Sequence, residues 1–389
     1  MTLRLGLLTT LDHNPGDNFI REGLLHVVER LLGGQAVEIV AINKHQPCSA
    51  YPSWHPLRQL FTSPLDRLPL RVLRRLQRLA LRWLPARGFS RYDGCDLIFQ
   101  CGTPVIWEDC RKSEWADAIW RNIFGRLAGR VPVLNLGAGS CYPCERVPQT
   151  LCGNPDEEFI RLMLRTAAVT IVRDKLSQEL FASLGHDTMR LCCPAFLAAQ
   201  RYTRPVGTPS RKVLINYMER GGHYDWGQRI DAEEWQQTMR AVVGDLAATG
   251  WEPLFLCHSA GEMELATRLW PALTRVHPRT SSEYFAVVRD AAFGLFNRLH
   301  AGVAAAGLGI PSVSVGTDSR LGMLETLELP CYYVKEARGA AIRAAVRQAL
   351  EVRDAESRRL LALHAATLRR YEDVVRSWIA RPAAPSVHP

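Results

Sequence analysis

The sequence predicts an α/β protein of two Rossmann-like domains facing a cleft, with parallel sheets in both and a helical C-terminus. Three observations predict it. Short β-rich runs alternate with helical stretches along almost the whole chain, the pattern of parallel strands joined by right-handed crossovers. A stretch rich in Pro, Gly and Arg, RYTRPVGTPSRK, interrupts the alternation near the middle. The length of 389 residues exceeds one ordinary core and suits two. The first domain then covers residues 1–200, a linker 201–211, the second domain 212–345, C-terminal helices 346–380 and a disordered tail 381–389.

In the first half, LRLGLLTT reads as a strand, NFIREGLLHVVERLL as a helix and VEIVAIN as the next strand. CDLIFQCG is nearly continuous in apolar residues, as a strand buried on both faces must be. EWADAIWRNIFGRLAG (helix), VPVLNLGAG (strand), DEEFIRLMLRTA (helix) and VTIVRD (strand) continue the series. KLSQELFASLG is a helix stopped by Gly185, and MRLCCPAFL is the last strand of this half. In the second half KVLINYM, WEPLFLCHS, FGLFN, PSVSVG and CYYV are strands. The helices between them begin at Asp231, at Gly261, at Ser281 or Ser282 as N-cap, and at Leu299. SRLGMLETLEL is a further helix, and a long helical segment closes the chain.

Composition is that of a soluble globular protein, 47% hydrophobic and 22% charged. No apolar run reaches the ~18 residues that a membrane span needs, and the N-terminus lacks a signal-peptide cleavage site. The 11 Cys, an odd number scattered through apolar runs, suit reduced thiols and a cytoplasmic location. Cys141, Cys144 and Cys152 include one Cys-x2-Cys pair without a second pair, so they read as ordinary thiols, and no metal is expected. Residues 57–87 carry eight Arg and one Asp, +7 of the chain's net +9. Leu65, Leu68, Val72, Leu76, Leu79 and Trp83 recur there at helical spacing, with Arg67, Arg71, Arg74, Arg75, Arg78 and Arg82 on the other face. Two readings stand side by side: adhesion to an anionic membrane surface, or a helix packed on its own domain with a solvated Arg face. Nucleic acid is not expected, because no aromatic platform accompanies the charge.

Ligands of parallel sheets bind outside the carboxyl ends of the strands, so loops just after strands matter most. After the first strand, Asp17 is a candidate general base or helix cap. Gly102, Gly137 and Gly139 allow a ligand or a second backbone to come close, but they do not complete a dinucleotide fingerprint. Arg173 sits where strand meets helix and suits an anion, while Asp174 caps the helix. His258 follows a buried strand at the cleft edge, where a lone His is either structural or, like Asp17, a candidate general base. The sharpest signal is NRLHAGVAAAGLG: Asn297, Arg298 and His300 stand at the start of an Ala/Gly helix whose N-terminal dipole points at the cleft. Arg holds a carboxylate or phosphate in bidentate fashion, and His exchanges protons near neutral pH.

PGDNFIREGLL, CDLIFQCGTPVIWED, PVLNLGAG, VTIVRDKLSQELFASLG, CCPAFL, CHSAGEMELA and NRLHAGVAAAGLGIPSVSV occur in an order that resembles the polysaccharide pyruvyl transferase family. The resemblance implies a glycosyltransferase-B-like fold, with the acceptor on the first domain and the donor on the second. It also implies transfer of the pyruvyl unit of phosphoenolpyruvate to sugar hydroxyls of a glycan or glycolipid precursor, as a pyruvate ketal, without a cofactor. Arg298 and His300 would be donor-site residues, with Arg298 as anion clamp and His300 as acid. The family's triple glycine is here Gln100-Cys101-Gly102, and its Asp before Pro-Ala-Phe is Cys193. Two alternatives remain open. One is a nucleotide-sugar glycosyltransferase of the same architecture. The other is an inactive family member acting as a membrane-docked assembly factor at the inner face of the plasma membrane.

Overall fold

A computed structural model describes residues 2–11, 15–62, 90–102, 104–203, 210–224 and 226–380, together with Val72, Leu76 and Leu79. Most of the basic segment, the centre of the linker and the tail at 381–389 lie outside the described residues.

Strands β1 (Leu3–Thr9), β2 (Val37–Asn43), β3 (Leu97–Cys101), β4 (Pro104–Ile106), β5 (Val133–Ser140), β6 (Val169–Val172) and β7 (Met189–Arg190) form one sheet. Its order is β2-β1-β3-β5-β6-β7, with β4 beside β5. The second sheet holds β8 (Lys212–Asn216), β9 (Glu252–Leu256), β10 (Thr274–Val276), β11 (Phe293–Phe296), β12 (Ser312–Gly316) and β13 (Cys331–Tyr333), in the order β10-β9-β8-β11-β12-β13. Every strand pairing is parallel. The architecture is the expected two-sheet α/β fold.

Several details depart from expectation. The first helix runs Pro15–Leu32, so Asp17 lies inside its first turn and does not cap it. MRLCCPAFL is a strand only over Met189–Arg190. Pro194 has no N–H to give to a ladder and opens a 3-10 turn, Pro194–Leu197. Helix Ser281–Val288 is capped by Thr280, whose hydroxyl accepts the Glu283 N–H at 3.1 Å. Strands β4 and β10 are too short to show a period in sequence. The long C-terminal segment divides into helices Gly339–Glu351 and Arg353–Ile379.

The two sheets do not stand apart across an open cleft. One continuous apolar core joins Leu5, Phe99 and Leu136 below the first sheet to Leu214, Phe296 and Ala301 below the second. The first helix crosses this seam, with the Phe19 ring tilted against Tyr284 and Phe285 at centroid distances of 4.6 and 5.1 Å. Helix Leu299–Ala306 approaches from the other side. A Cβ on Gly307, just past its end, would lie 2.2 Å from the Phe196 carbonyl oxygen, so only glycine allows that approach. The loops after β5 and β12 are stitched together as well: Cys144 N–H donates to Thr317 O at 3.1 Å, and Ser319 N–H to Tyr142 O at 2.8 Å.

Because the domains share this core, the protein should unfold in one transition. Phe19→Ala should cost ~3–5 kcal/mol, read by urea or thermal denaturation, since it removes a buried aromatic from both domains at once. Two separate transitions in the wild type would contradict the shared core.

Candidate functional site

Adjacent parallel strands bring the carboxyl ends of β9, β8, β11 and β12 to one edge. Two asparagines fasten these ends. Asn216 accepts the Arg298 N–H at 2.8 Å and donates to Leu256 O at 3.0 Å. Asn297 accepts the Met218 N–H at 2.8 Å and donates to Val315 O at 3.0 Å. The Asn297 side chain is therefore committed to backbone, although the residue borders the site.

The strand ends and the first helix enclose a polar cavity with ≈ 400 Å³ of unfilled space. Its charged and titratable walls are His223, His258, Arg298, His300, Asp318 and Arg320, with Gly16 across the seam.

The arginines are held by carboxylates. Arg298 Nε and Nη2 donate to Glu262 Oε1 at 2.8 and 2.6 Å, and Arg320 meets both Asp318 oxygens at 2.7 Å. The Arg320 guanidinium also covers the Tyr224 ring at 4.8 Å. Glu262 is a hub: its Oε2 accepts the His258 N–H and Asn216 Nδ2, each at 2.8 Å. Glu262 stands three residues after the helix cap Ser259, a Ser-x-x-Glu capping box that would have marked it in the sequence. No comparable motif marks His223, Asp318 or Arg320.

Arg173 lies behind the cavity, fully buried. Its Nη1 reaches His300 Nε2 at 3.2 Å and Gly102 O at 3.4 Å. Its Nε and Nη2 have no partner among the described residues. Gly102, Gly137 and Gly139 do not border the cavity. A Cβ on Gly139 would lie 2.3 Å from Arg173 Nε, and one on Gly102 would lie 2.3 Å from Gly137 O, so these glycines make room for the arginine and for a backbone crossing. Asp174 caps helix Lys175–Ala182 through the Ser177 N–H at 2.7 Å. Asp17 faces the seam from the first helix but does not border the cavity.

All three cavity histidines are held neutral. Burial, then Arg173, Arg320, His258 and Arg298, push His300 well below its ordinary value. Burial, with Arg298 and His277, lowers His258 to about 4 against an opposing pull from Glu262. Both ring nitrogens of His258 are buried without a partner among the described residues. Cys141 is buried, Cys144 half-buried and Cys152 exposed. Among the described residues no cluster of three or more His, Cys, Asp or Glu could hold a metal ion.

The two parallel sheets, with the cavity at their strand ends, have the glycosyltransferase-B-like architecture. The chain belongs to the polysaccharide pyruvyl transferase family, whose model matches residues 14–319. Similar solved structures include a candidate UDP-N-acetylglucosamine 2-epimerase from Listeria monocytogenes, at a TM-score of 0.58 and 10% identity over 100% of both chains. UDP-GlcNAc 2-epimerase from Neisseria meningitidis, bound to UDP-GlcNAc, reaches 0.54 at 11% identity, covering 97% of this chain and 100% of that one. Sucrose-phosphate synthase from Thermosynechococcus elongatus reaches 0.52 at 15% identity, covering 97% and 99%. At such identities the likeness is one of fold. No curated protein matches the sequence.

Glu262→Ala should destabilise the protein by ~3–5 kcal/mol, because it leaves Arg298 buried and unpaired. Burial would raise the Glu262 pKa, but Arg298 and His258 outweigh it and hold the carboxyl below its usual range. A depressed carboxylate stabilises the fold above the unfolded value, ~4.3, and the contribution is lost as pH falls through the folded value. The cost of Glu262→Ala in urea should therefore be full at pH 7 and shrink toward pH 3.

Proposed function

We propose that this protein transfers the pyruvyl unit of phosphoenolpyruvate to two hydroxyls of a saccharide acceptor, forming a pyruvate ketal and releasing phosphate. The reading rests on family membership. The observation in the fold that carries it is a polar cavity with arginines and neutral histidines on its walls and, behind it, a buried guanidinium with two unpartnered nitrogens. An anion with both a carboxylate and a phosphate answers such donors.

The chemistry assigns roles. A proton added to the methylene carbon leaves an oxocarbenium-like centre at the neighbouring carbon. One sugar hydroxyl attacks that centre and loses its proton, then the second displaces phosphate. Arg173 offers its free donors to the anion, and Arg298 and Arg320 supply a fixed positive field. His300 gives the proton. In the empty cavity its ring is neutral and Nε2 accepts from Arg173. A bound anion offsets the arginine charges, which raises the His300 pKa, and by engaging Arg173 it frees Nε2. The substrate thereby charges its own acid. His258, neutral and unpartnered, takes the hydroxyl proton; Asp17, in the first turn of the first helix and outside the cavity lining, is the alternative base.

Val72, Leu76 and Leu79 are helical, on one face by spacing, and 44–45% exposed. With the Arg residues that intervene in sequence, this apolar row supports a peripheral place at the inner face of the plasma membrane and a lipid-linked acceptor. No helix among the described residues is long and apolar enough to cross a membrane.

Phosphate release from phosphoenolpyruvate, measured across nucleotide- and lipid-linked sugars, tests the reaction. Release should require an acceptor and match ketal formed. Binding of a nucleotide sugar without binding of phosphoenolpyruvate would support the glycosyltransferase alternative and sink this one. The pH profiles test the acid: kcat reports the loaded enzyme and kcat/KM the free one, so the descending limb of kcat should lie at higher pH. Coincident limbs would refute substrate-driven protonation. Wild-type protein should bind anionic vesicles at low salt and release them at high salt. Arg71, Arg75 and Arg78 changed together to Gln should weaken binding about a hundredfold, at ~1 kcal/mol per Arg. No vesicle binding by wild type would remove the membrane reading.

A further inference from the structure

Two of the three cavity histidines have their tautomers set by arginine. Guanidinium N–H groups only donate. Arg173 Nη1 faces His300 Nε2, so that nitrogen accepts and the ring proton sits on Nδ1. Arg298 Nη1 lies 2.9 Å from His223 Nδ1, so here Nδ1 accepts and the proton sits on Nε2. Partial burial of the ring, then Arg298 and Arg320, lower His223 to about 4, although the residue as a whole is exposed. Arg298 spends Nε and Nη2 on Glu262, which answers its charge, and keeps Nη1 for His223.

The loop carrying His223 is pinned in place. Gly221 has φ +69°, and a Cβ there would lie 2.5 Å from the Val334 side chain; one on Gly222 would lie 2.2 Å from Thr317 Oγ1. Glycine at both positions lets the loop lie flat against the strand ends, with His223 as part of the cavity wall. Trp235 Nε1–H ties the start of the loop at Met218 O, 3.1 Å, and Gln228 Nε2 ties its far end to Thr317 O, 2.9 Å. The ring is thus fixed in place by its loop and in tautomer by Arg298.

We propose that Arg298 acts through His223, fixing the tautomer that makes Nε2–H a hydrogen-bond donor to the anionic ligand, so that His223 is a further ligand-binding residue of the cavity. The assignment rests on the reading of the cavity as the phosphoenolpyruvate site. It also changes the expected division of labour: Arg298, already neutralised by Glu262, orients a donor and does not meet the ligand as a free cation. A neutral donor adds directionality without adding positive charge beside Arg298 and Arg320.

The test combines imidazole nitrogen NMR with anion titration. In wild type at pH 7, the His223 signals, assigned by their loss in His223→Asn, should show the Nε2–H tautomer. In Arg298→Ala they should shift toward the exchanging mixture of a free ring. Phosphoenolpyruvate and inorganic phosphate are then titrated into wild type, His223→Gln, His223→Asn and His223→Ala. Gln places an amide donor near the Nε2 position and should bind both anions within about threefold of wild type, whereas Asn and Ala should bind about tenfold more weakly, the worth of one lost hydrogen bond. In turnover the loss should fall on KM more than on kcat. A ring found as Nδ1–H, or a His223→Ala protein that binds both anions like wild type, overturns the proposal. So does a wild type that binds neither anion. A wild type that binds phosphate but not phosphoenolpyruvate sinks the pyruvyl reading alone, and the variants still decide His223 on phosphate. Should His223→Ala fail to fold, the wild-type tautomer and the Gln and Asn comparison decide.

Discussion

The approach of two helices across the seam sets the dimensions of everything at the site. Helix Pro15–Leu32 from one domain and helix Leu299–Ala306 from the other meet over an apolar layer, with glycine wherever backbone or ring must come closest. Gly16 makes this concrete. A Cβ there would lie 2.7 Å from His300 Nδ1, so the imidazole of one domain rests on the first turn of the other only because that residue has no side chain. Gly23 does the same against the Pro194 carbonyl. A wider separation would part His300 from Arg173, because the two residues come from opposite domains. The polar cavity is therefore a by-product of apolar packing.

Inside that frame the charges are balanced in pairs. Glu262 answers Arg298 and Asp318 answers Arg320, each at 2.6–2.7 Å and largely out of water. Paired charges keep a dry site affordable in free energy and leave the histidines uncharged. Arg173 is the exception. It has no ion-pair partner within 4.0 Å among the described residues, and part of its guanidinium faces no acceptor.

Much of the fold was legible in the sequence. VEIVAIN, PSVSVG and the Ala/Gly helix fell where the sequence pattern placed them: PSVSVG is a wholly buried strand, whereas VEIVAIN is a half-exposed edge strand and the helix starts at Leu299 without a side-chain cap. Errors occurred where proline or very short pairing decided the outcome, as at Pro194 and in β4 and β10. The site was half legible. Arg298, His300 and His258 follow strands directly, and topology alone brings such positions to one edge. Arg173 was also visible, but its burial and its contact with His300 depend on the seam. The partners were hidden. Glu262 carries a capping-box signature but its pairing with Arg298 is fixed only in three dimensions, and the tripeptide around His223 carries no local signature. Gly102, Gly137 and Gly139 do not border the cavity: Gly139 makes room for Arg173, Gly102 for the Gly137 carbonyl and Gly137 for the Pro194 ring.

The last helix has a bearing on how the chain is made. Helix Arg353–Ile379 returns to the first domain, where Leu360, Tyr371 and Val375 enter the shared core and the Tyr371 hydroxyl donates to Cys192 O at 3.0 Å. The N-terminal half leaves the ribosome with that face uncovered. At ~5–20 residues per second, the residues from Leu197 to Tyr371 take on the order of ten seconds or more to appear. During that interval the nascent first domain exposes Phe196, Leu197 and the apolar side of its first helix. The first domain's core closes only once the helix carrying Leu360, Tyr371 and Val375 has been synthesised.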